Sequence, residues 1–252
     1  MPLIAPVDIL LLLFFSFLVG GLVKGIIGTG LPTIALALLT ATIGIKEGMA
    51  IILLPSILTN IQQGVFGGYL KTIVSRSWSF FVATFCTIWL GASFLQKVDV
   101  SWLSALLGCI LLLYALLGLS SRELRRPGKA EQWLNPVIGA INGLLTGMTG
   151  SAIVPGVLYL QSLDMGKEKL IQTMGLVFLV STVTLAFALQ KNQLLTRELL
   201  ILSAIAFLPA YVGMLIGNRL RKNISEQLFR KLFFSFMLLL SCYIIVRSFI
   251  FI

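Results

Sequence analysis

Long apolar stretches separated by short polar turns fill almost the whole chain. Eight apolar segments can be delimited, at 8–43, 47–66, 76–95, 101–120, 135–163, 168–189, 197–217 and 228–251. Six of them are close to the ~20 residues that a membrane-spanning helix needs. The pattern therefore predicts an all-α polytopic membrane protein.

The two longer segments are each interrupted by a cluster of glycines that ends in a proline. The first cluster, over 20–32, reads GGLVKGIIGTGLP, and the second, over 142–155, reads NGLLTGMTGSAIVP. As one straight helix, the segment 135–163 would measure about 43 Å at ~1.5 Å per residue, which exceeds a ~30 Å hydrocarbon core. We therefore expect the break in 135–163 to leave two pieces of about a dozen residues, as a re-entrant hairpin or as two half-helices lining a cavity.

The two breaks match one another at an offset of 122 residues. The offset superposes four pairs of small residues: Gly21 on Gly143, Gly25 on Gly147, Gly28 on Gly150 and Thr29 on Ser151. A duplicated broken segment is typical of transporters that bind their substrate between two internal repeats. The sequence thus predicts a first membrane repeat over 1–120, a linker over 121–134 and a second membrane repeat over 135–252.

Basic residues indicate how the segments are threaded. If each broken segment enters and returns on one side, five basic residues lie with the termini, and thirteen lie with the linker. If each broken segment crosses once, the division is nine against nine. Because cytoplasmic loops carry the excess of Lys and Arg, the first arrangement is favoured. It places the linker and the 218–231 loop in the cytoplasm, and the three crossings that follow each returning segment make the two repeats inverted.

Composition excludes several other functions. The chain is 58% hydrophobic and only 11% charged, whereas a soluble domain has about a quarter charged residues. Its net charge of +10 is attributed to topology and anionic lipid rather than to nucleic acid. There is no histidine, and all nine Asp and Glu residues lie at segment ends or in loops. We therefore expect no catalytic residue, no metal site, no cofactor and no nucleic-acid partner.

Lys24 is the only charged residue in either break. A lysine deep in a membrane span costs about 2.5–3.5 kcal/mol on insertion scales, so it points to a function in the transport pathway. The alternative is that it snorkels to an interface or pairs with a carbonyl group. The sixteen-residue apolar lead-in from Asp8 favours depth and contact with an anionic substrate.

Neutral hydrogen-bond donors are predicted to complete the site. A helix that starts near the membrane midplane directs N–H groups into a cavity, and Pro32 and Pro155 fit the first turn of such a helix. Asn60 and Gln63 share a face with Ser56, and an offset of 121 residues maps them on Ser181 and Thr184. The alternatives are close helix packing through the glycines and ordinary interhelical hydrogen bonds. The predicted donors are Gly28, Thr29, Gly30, Asn60, Gln63, Thr149, Gly150, Ser151, Ser181 and Thr184.

The segments GLVKGIIGTGLP and GLLTGMTGSAIVP, together with the half-chain repeat, resemble the TauE/SafE sulfite exporter family of bacterial inner-membrane permeases. The resemblance covers nearly the whole chain. It implies a multi-pass protein of the bacterial inner membrane that moves sulfite, sulfonates, sulfoacetate or related organic anions. Its glycine–proline patterns are loose, so they assign neither the substrate nor any site residue.

Taken together, the residues and the resemblance predict a secondary transporter for a small sulfur-containing oxyanion. Its partners would be that anion and the lipid bilayer, with a homodimer left open as an assembly. Two alternatives share the same pore: an anion channel, and a carrier of an organic carboxylate. An intramembrane enzyme and a metal-cation permease are disfavoured by the missing histidines and buried carboxylates.

Overall fold

The computed structural model describes residues 6–120, 126–221 and 225–250, which form helices and turns without a strand. Parts of the two predicted cytoplasmic loops, 121–125 and 222–224, lie outside the described residues. The helices are α1 (Val7–Ile27), α2 (Leu31–Thr40), α3 (Ile45–Ile51), α4 (Leu53–Val65), α5 (Leu70–Ser93), α6 (Val100–Leu119), α7 (Glu131–Thr149), α8 (Leu158–Ser162), α9 (Lys167–Lys191), α10 (Arg197–Leu220) and α11 (Glu226–Ile250).

Six helices in the described part of the chain are long and apolar enough to cross a membrane: α1, α5, α6, α9, α10 and α11. The pair α3 and α4, bent by 44°, has the length and composition of a seventh span. Large apolar side chains such as Leu208 and Leu239 are more than two-thirds exposed, which suits a lipid-facing surface. The prediction of an all-α polytopic membrane protein is confirmed.

The first break reverses the chain. Helix α1 ends at Gly28, which has the left-handed conformation (φ 80°) and donates its N–H to the Lys24 carbonyl at 2.8 Å. Helix α2 then runs back along α1, so that Leu31 lies directly against Gly20. Pro32 occupies the first turn of α2, as expected. The chain thus reverses direction at this break, as a returning segment requires.

The second break begins in the same way and continues differently. Helix α7 ends at Gly150 with nearly the same left-handed conformation (φ 76°). The chain then forms a π-helical turn, Ile153–Val157, before the five-residue helix α8. The Asn142 carboxamide oxygen accepts the Gly156 N–H at 3.1 Å and so holds this turn. The offset of 122 places Gly20 opposite Asn142, and glycine has no side chain to make that bond.

The expected size of the pieces in the second segment is wrong. Helix α7 has 19 residues rather than about a dozen, whereas α8 has only five. Helix α7 begins at Glu131, inside the predicted linker, and Pro136 in its second turn does not interrupt it. Helices α1 and α7 both continue to the glycine with the left-handed conformation, because the earlier glycines of each cluster keep helical backbone angles and serve another purpose.

The other glycines bring helices into close contact. Helix α1 packs on α10, and α5 packs on α7, and four glycines in each pair lie against backbone atoms of the facing helix. These glycines are Gly21, Gly25, Gly213 and Gly217 in the first pair, and Gly91, Gly139, Gly143 and Gly147 in the second. Small residues at such crossings let two backbones approach closely. For the matched pairs at Gly21 and Gly25, helix packing is therefore the observed use.

The main contacts between helices occur in matched sets. When each helix is replaced by its counterpart in the other half of the chain, the same pairs of helices are in contact. Helix α1 contacts α10 as α7 contacts α5, while α4 packs on α9 and α6 packs on α11. In the predicted repeats, α4 corresponds to α9, α5 to α10 and α6 to α11, so each contact has a counterpart. This packing is what a pair of inverted repeats requires. The inverted relation itself stays a prediction.

Candidate functional site

Lys24 lies inside the helix bundle. Its side chain is only 2% exposed, one turn before the end of α1. The Lys24 ammonium group donates to the carboxamide oxygen of Asn60 in α4. Among the described residues, the ion pairs are Arg76–Glu131 and Arg126–Asp164, and neither includes Lys24. The buried amine therefore faces a neutral amide rather than a carboxylate.

Asn60 has one polar atom left over. Its side chain is fully buried, and while its oxygen accepts from Lys24, its Nδ2 has no hydrogen-bond partner within the described structure. An unpaired buried N–H group is rare, because leaving it without a partner costs about 1–3 kcal/mol. The amide nitrogen is therefore a donor available to a bound ligand or water.

Gln63 closes the space beside Lys24. Its Nε2 donates to the Gly28 carbonyl at 2.8 Å and to the Ile171 carbonyl of α9 at 2.7 Å. Lys24 and Gly28 are one helical turn apart, as are Asn60 and Gln63 in α4. The structure therefore brings these four sequence-predicted residues together.

The first break also places Thr29 and Gly30 close to this group. Thr29 is buried and lies beside the Tyr114 side chain of α6, with which it lines a cavity described below. Gly30 precedes α2 with φ 115°, and a Cβ there would meet Val23 at 2.6 Å. Both residues therefore lie at the reversal between α1 and α2, with Tyr114 as a neighbour that sequence reasoning missed.

The second break forms a separate polar group. Thr149 is buried, and its hydroxyl donates to the Leu145 carbonyl at 2.7 Å and accepts from the Ser151 N–H at 3.3 Å. Thr146, which the offset places opposite Lys24, donates to the Asn142 and Ser151 carbonyls. The Ser151 hydroxyl has no hydrogen-bond partner among the described residues. The hydrogen bonds of this group described above stay within the second break.

Gly150 contributes to packing rather than to a hydrogen bond with Lys24. A Cβ at Gly150 would meet Met49 at 2.7 Å and Leu36 at 3.3 Å, whereas at Gly28 it would meet Ile171 at 3.1 Å. Each cap glycine is thus covered by an apolar side chain from the other half of the chain.

Ser181 and Thr184 lie on α9 where it crosses α4. Gly64 and Gly175 touch at this crossing, and the two helices run in opposite directions. At ~1.5 Å per residue, Asn60 is about 6 Å and Ser181 about 9 Å from the crossing, so the two lie at similar depth. The Thr184 hydroxyl donates to the Val180 carbonyl at 2.7 Å, whereas the buried Ser181 hydroxyl has no partner in the described structure.

Unpartnered buried polar atoms are concentrated near the two breaks. Native structures leave few such atoms, so a cluster of them indicates space for water or a ligand. Those on the break-forming helices and on α4 and α9 belong to Thr33, Thr40, Ser56, Asn60, Asn142 and Ser181, and Ser151 in the turn after α7 adds another. Asn142 was missed by sequence reasoning, because its counterpart at the offset of 122 is glycine.

A cavity of about 660 Å³ leads from the linker end of the bundle to the first break. Thr29 and Tyr114 line its inner part, with apolar side chains from α8, α9 and α11. Among the described residues that line it, the basic ones are Arg126, Lys167, Arg221 and Arg230, and the acidic one, Asp164, pairs with Arg126 at 2.8 Å. We expected both breaks to line one cavity, but this cavity reaches only the first. Its electrostatic character favours anions.

The Arg76–Glu131 pair anchors the start of α7 and is distinct from this group. Arg76 Nε lies 2.5 Å from the Glu131 carboxylate, and Asn135 donates to the Arg76 carbonyl at 3.1 Å. Tyr159 of α8 donates to the Asn135 oxygen at 2.6 Å. These bonds fasten the returning chain to α5 and α7.

Comparison with known proteins gives one finding. A family model described as sulfite exporter TauE/SafE matches residues 12–244. No curated protein and no solved structure matches the chain.

Proposed function

The chain belongs to the sulfite exporter TauE/SafE family, and from this premise we propose that it is a secondary transporter for a small sulfur-containing oxyanion, sulfite or an organosulfonate. Membership in a transporter family and six span-capable helices make it a multi-pass membrane protein. We further propose that it resides in the inner membrane of a bacterium. The lipid bilayer and the anion are then its partners.

One observation carries the proposal: a buried lysine whose hydrogen-bond partner is a neutral amide. An ammonium group removed from water needs a counter-charge, since an uncompensated buried charge is strongly destabilising. The described residues supply no carboxylate to Lys24. A bound anion would supply the missing charge, and Lys24 would therefore be the fixed positive group of the site.

Neutral donors around Lys24 would bind the anion's oxygens. The unpartnered Asn60 amide nitrogen is adjacent, and Thr29 lies at the inner end of the cavity. Gln63, which bonds the Gly28 carbonyl, would seal the space between this cavity and Lys24 until the site opens. Gly28 and Gly30 would allow the backbone to approach the ligand closely.

The second break would complete the shell from the other half of the chain. The unpartnered hydroxyls of Ser151 and Ser181 and the nearby Thr149, Gly150 and Thr184 are the proposed contributors. Their bonds stay apart from Lys24, so we propose that the two breaks approach during transport as the predicted repeats move against each other.

The test is flux into proteoliposomes that contain the purified protein. The panel comprises sulfite, sulfate, methanesulfonate, sulfoacetate and acetate, each measured for initial rate and for counterflow against the same anion inside. We expect saturable uptake and counterflow for at least one sulfur oxyanion, and little for acetate.

Other outcomes would decide against the proposal. Flux that rises linearly with concentration and shows no counterflow would indicate an anion channel. Saturable flux of acetate alone would indicate a carboxylate carrier. Absence of flux for every panel member would remove the proposed function.

A further inference from the structure

We propose that Lys24 also carries a proton, so that each anion crosses together with H⁺. This inference rests on the proposed anion site and adds the coupling ion to it. The reason is that the charge of Lys24 is balanced when the site holds an anion and is not balanced when the site is empty. A bound anion balances the Lys24 ammonium, but once the anion leaves, the described surroundings offer no negative charge in its place.

The helices packed around Lys24 are nearly free of charge in their middle. Helices α2 and α4 have no titratable side chain. The titratable groups of the other neighbouring helices, α10 and α9, are Arg197, Glu198, Tyr211 and Arg219 on α10, and Lys167, Glu168, Lys169 and Lys191 on α9. All except Tyr211 lie in first or last turns, and the Tyr211 ring stacks on Phe207 of its own helix.

In an empty site that is closed to water, the Lys24 ammonium group therefore has only the Asn60 carboxamide oxygen as a hydrogen-bond partner. A buried charge without a partner gives up its charge rather than remain uncompensated. Lysine can do so, because its ammonium group becomes a neutral amine that still donates a hydrogen bond to the Asn60 oxygen. Arginine cannot, since its guanidinium keeps its proton in proteins.

The cycle balances in protons and charge. On loading, the Lys24 nitrogen forms an N–H bond with a proton from water, and the resulting ammonium binds the anion. For a monovalent anion the loaded site has no net charge. On release the anion enters water, the N–H bond breaks, the proton passes to water and the electron pair stays on nitrogen. The empty site then returns as a neutral amine.

The cavity provides a water route to this exchange. It extends to Thr29, which follows the Gly28 cap of α1, and Gln63 donates to the Gly28 carbonyl next to it. Displacing the Gln63 amide from the Gly28 carbonyl would connect Lys24 with the cavity. Anion and proton would then use the same opening.

The experiment compares net uptake with exchange in proteoliposomes that contain a pH-sensitive dye. Sulfite and methanesulfonate are the probes, and methanesulfonate is decisive where it is exchanged because it carries no proton at neutral pH. For the wild type we expect net uptake to be driven by an inward proton gradient and to acidify the lumen. Net uptake that ignores the gradient and moves no proton would overturn the inference.

Lys24→Arg separates proton coupling from anion binding. In anion exchange the site crosses the membrane loaded in both directions, whereas net uptake also requires the empty site to cross back. Because arginine keeps its proton, the empty variant would cross back with an uncompensated charge. The variant should therefore retain measurable exchange while net uptake falls by about 100-fold or more. If a folded Lys24→Arg protein lost exchange and net uptake equally, the variant would not separate proton coupling from anion binding. The proton measurement on the wild type would then decide whether uptake is coupled to protons. Lys97→Arg, on an exposed turn at the other end, is the matched control and should behave as wild type.

The proposed function and this inference fail in different ways. If the wild type exchanges neither sulfite nor methanesulfonate, the sulfur-oxyanion function fails and the proton coupling falls with it. If the wild type exchanges either anion but its net uptake moves no proton, the anion site stands and the proton coupling alone is wrong.

Discussion

Lys24 and Asn60 form a buried pair in which only one partner can be charged. A carboxylate at position 60 would have satisfied the ammonium group permanently and left nothing for an anion to do. The amide instead holds the lysine in place through its oxygen and keeps an unpartnered nitrogen beside it. At the scale of single residues, the pair suits an exchangeable anion because position 60 carries a carboxamide rather than a carboxylate.

Replacing that amide by an acid gives a direct prediction. Asn60→Asp should lower the rate of anion flux by about tenfold or more, because the new carboxylate occupies the ammonium group in place of substrate and a charge-assisted hydrogen bond is worth about 1.5–3 kcal/mol. Initial rates in proteoliposomes provide the measurement. Asn218→Asp, on the exposed face of α10, is the control. Wild-type flux in Asn60→Asp would mean that the Lys24 charge is irrelevant to the anion.

The sequence located Lys24 and its partner face, because a lysine in an apolar segment and polar residues at helical spacing are both visible without a structure. It could not show that Tyr114 meets Thr29 or that Asn142 holds the second return, since those contacts join residues far apart in the chain. Asn142 also has no counterpart in the first half, where Gly20 stands.

At the scale of helices, the matched glycines have two separate uses. Two pairs bring α1 against α10 and α7 against α5, and the third pair, Gly28 and Gly150, ends the long helices. The sequence predicted the breaks and the reversal of the chain, but it divided the second segment into two pieces of about equal length. When several glycines lie in one apolar segment, the sequence does not show which of them adopts the left-handed conformation. That choice depends on the path of the chain after the glycine.

Ending α7 at Gly150 gives the second prediction. Gly150→Ala should lower the melting temperature in detergent, since an alanine in the left-handed region costs roughly 1–2 kcal/mol and its Cβ would also press on Met49. Gly68→Ala is a matched control, because Gly68 has a similar φ of +83° and nothing within 4 Å of a Cβ. We expect the melting temperature to fall more for Gly150→Ala than for Gly68→Ala. Equal decreases would show that the Met49 side chain moves away from the new Cβ at little cost.

Basic residues lie at both ends of the molecule, and the larger share is predicted for the linker end. The basic residues around the cavity belong to the linker end, whereas Arg247 meets the Thr42 carbonyl and Lys191 lies over Trp89 at the other end. The thirteen-to-five division itself stays a prediction. The membrane orientation remains a prediction from the positive-inside rule.

Cysteine labelling tests that orientation. After Cys86, Cys109 and Cys242 are replaced by serine, Lys129→Cys should be inaccessible to a membrane-impermeant reagent in intact cells, because the linker is predicted to be cytoplasmic. Lys97→Cys, on the predicted outer side, should be labelled and serves as the control. Labelling at position 129 but not at 97 would reverse the orientation of the whole molecule.

The most direct test of the anion site is flux through Lys24→Ala in proteoliposomes, measured beside Lys97→Ala on the exposed outer turn. Both proteins are checked for folding by their melting temperature in detergent. Removing the buried charge should lower the rate for the transported anion by roughly 10- to 100-fold, since hydrogen bonds to a charged group are worth about 1.5–3 kcal/mol, while Lys97→Ala keeps the wild-type rate. Wild-type flux in folded Lys24→Ala would contradict the account.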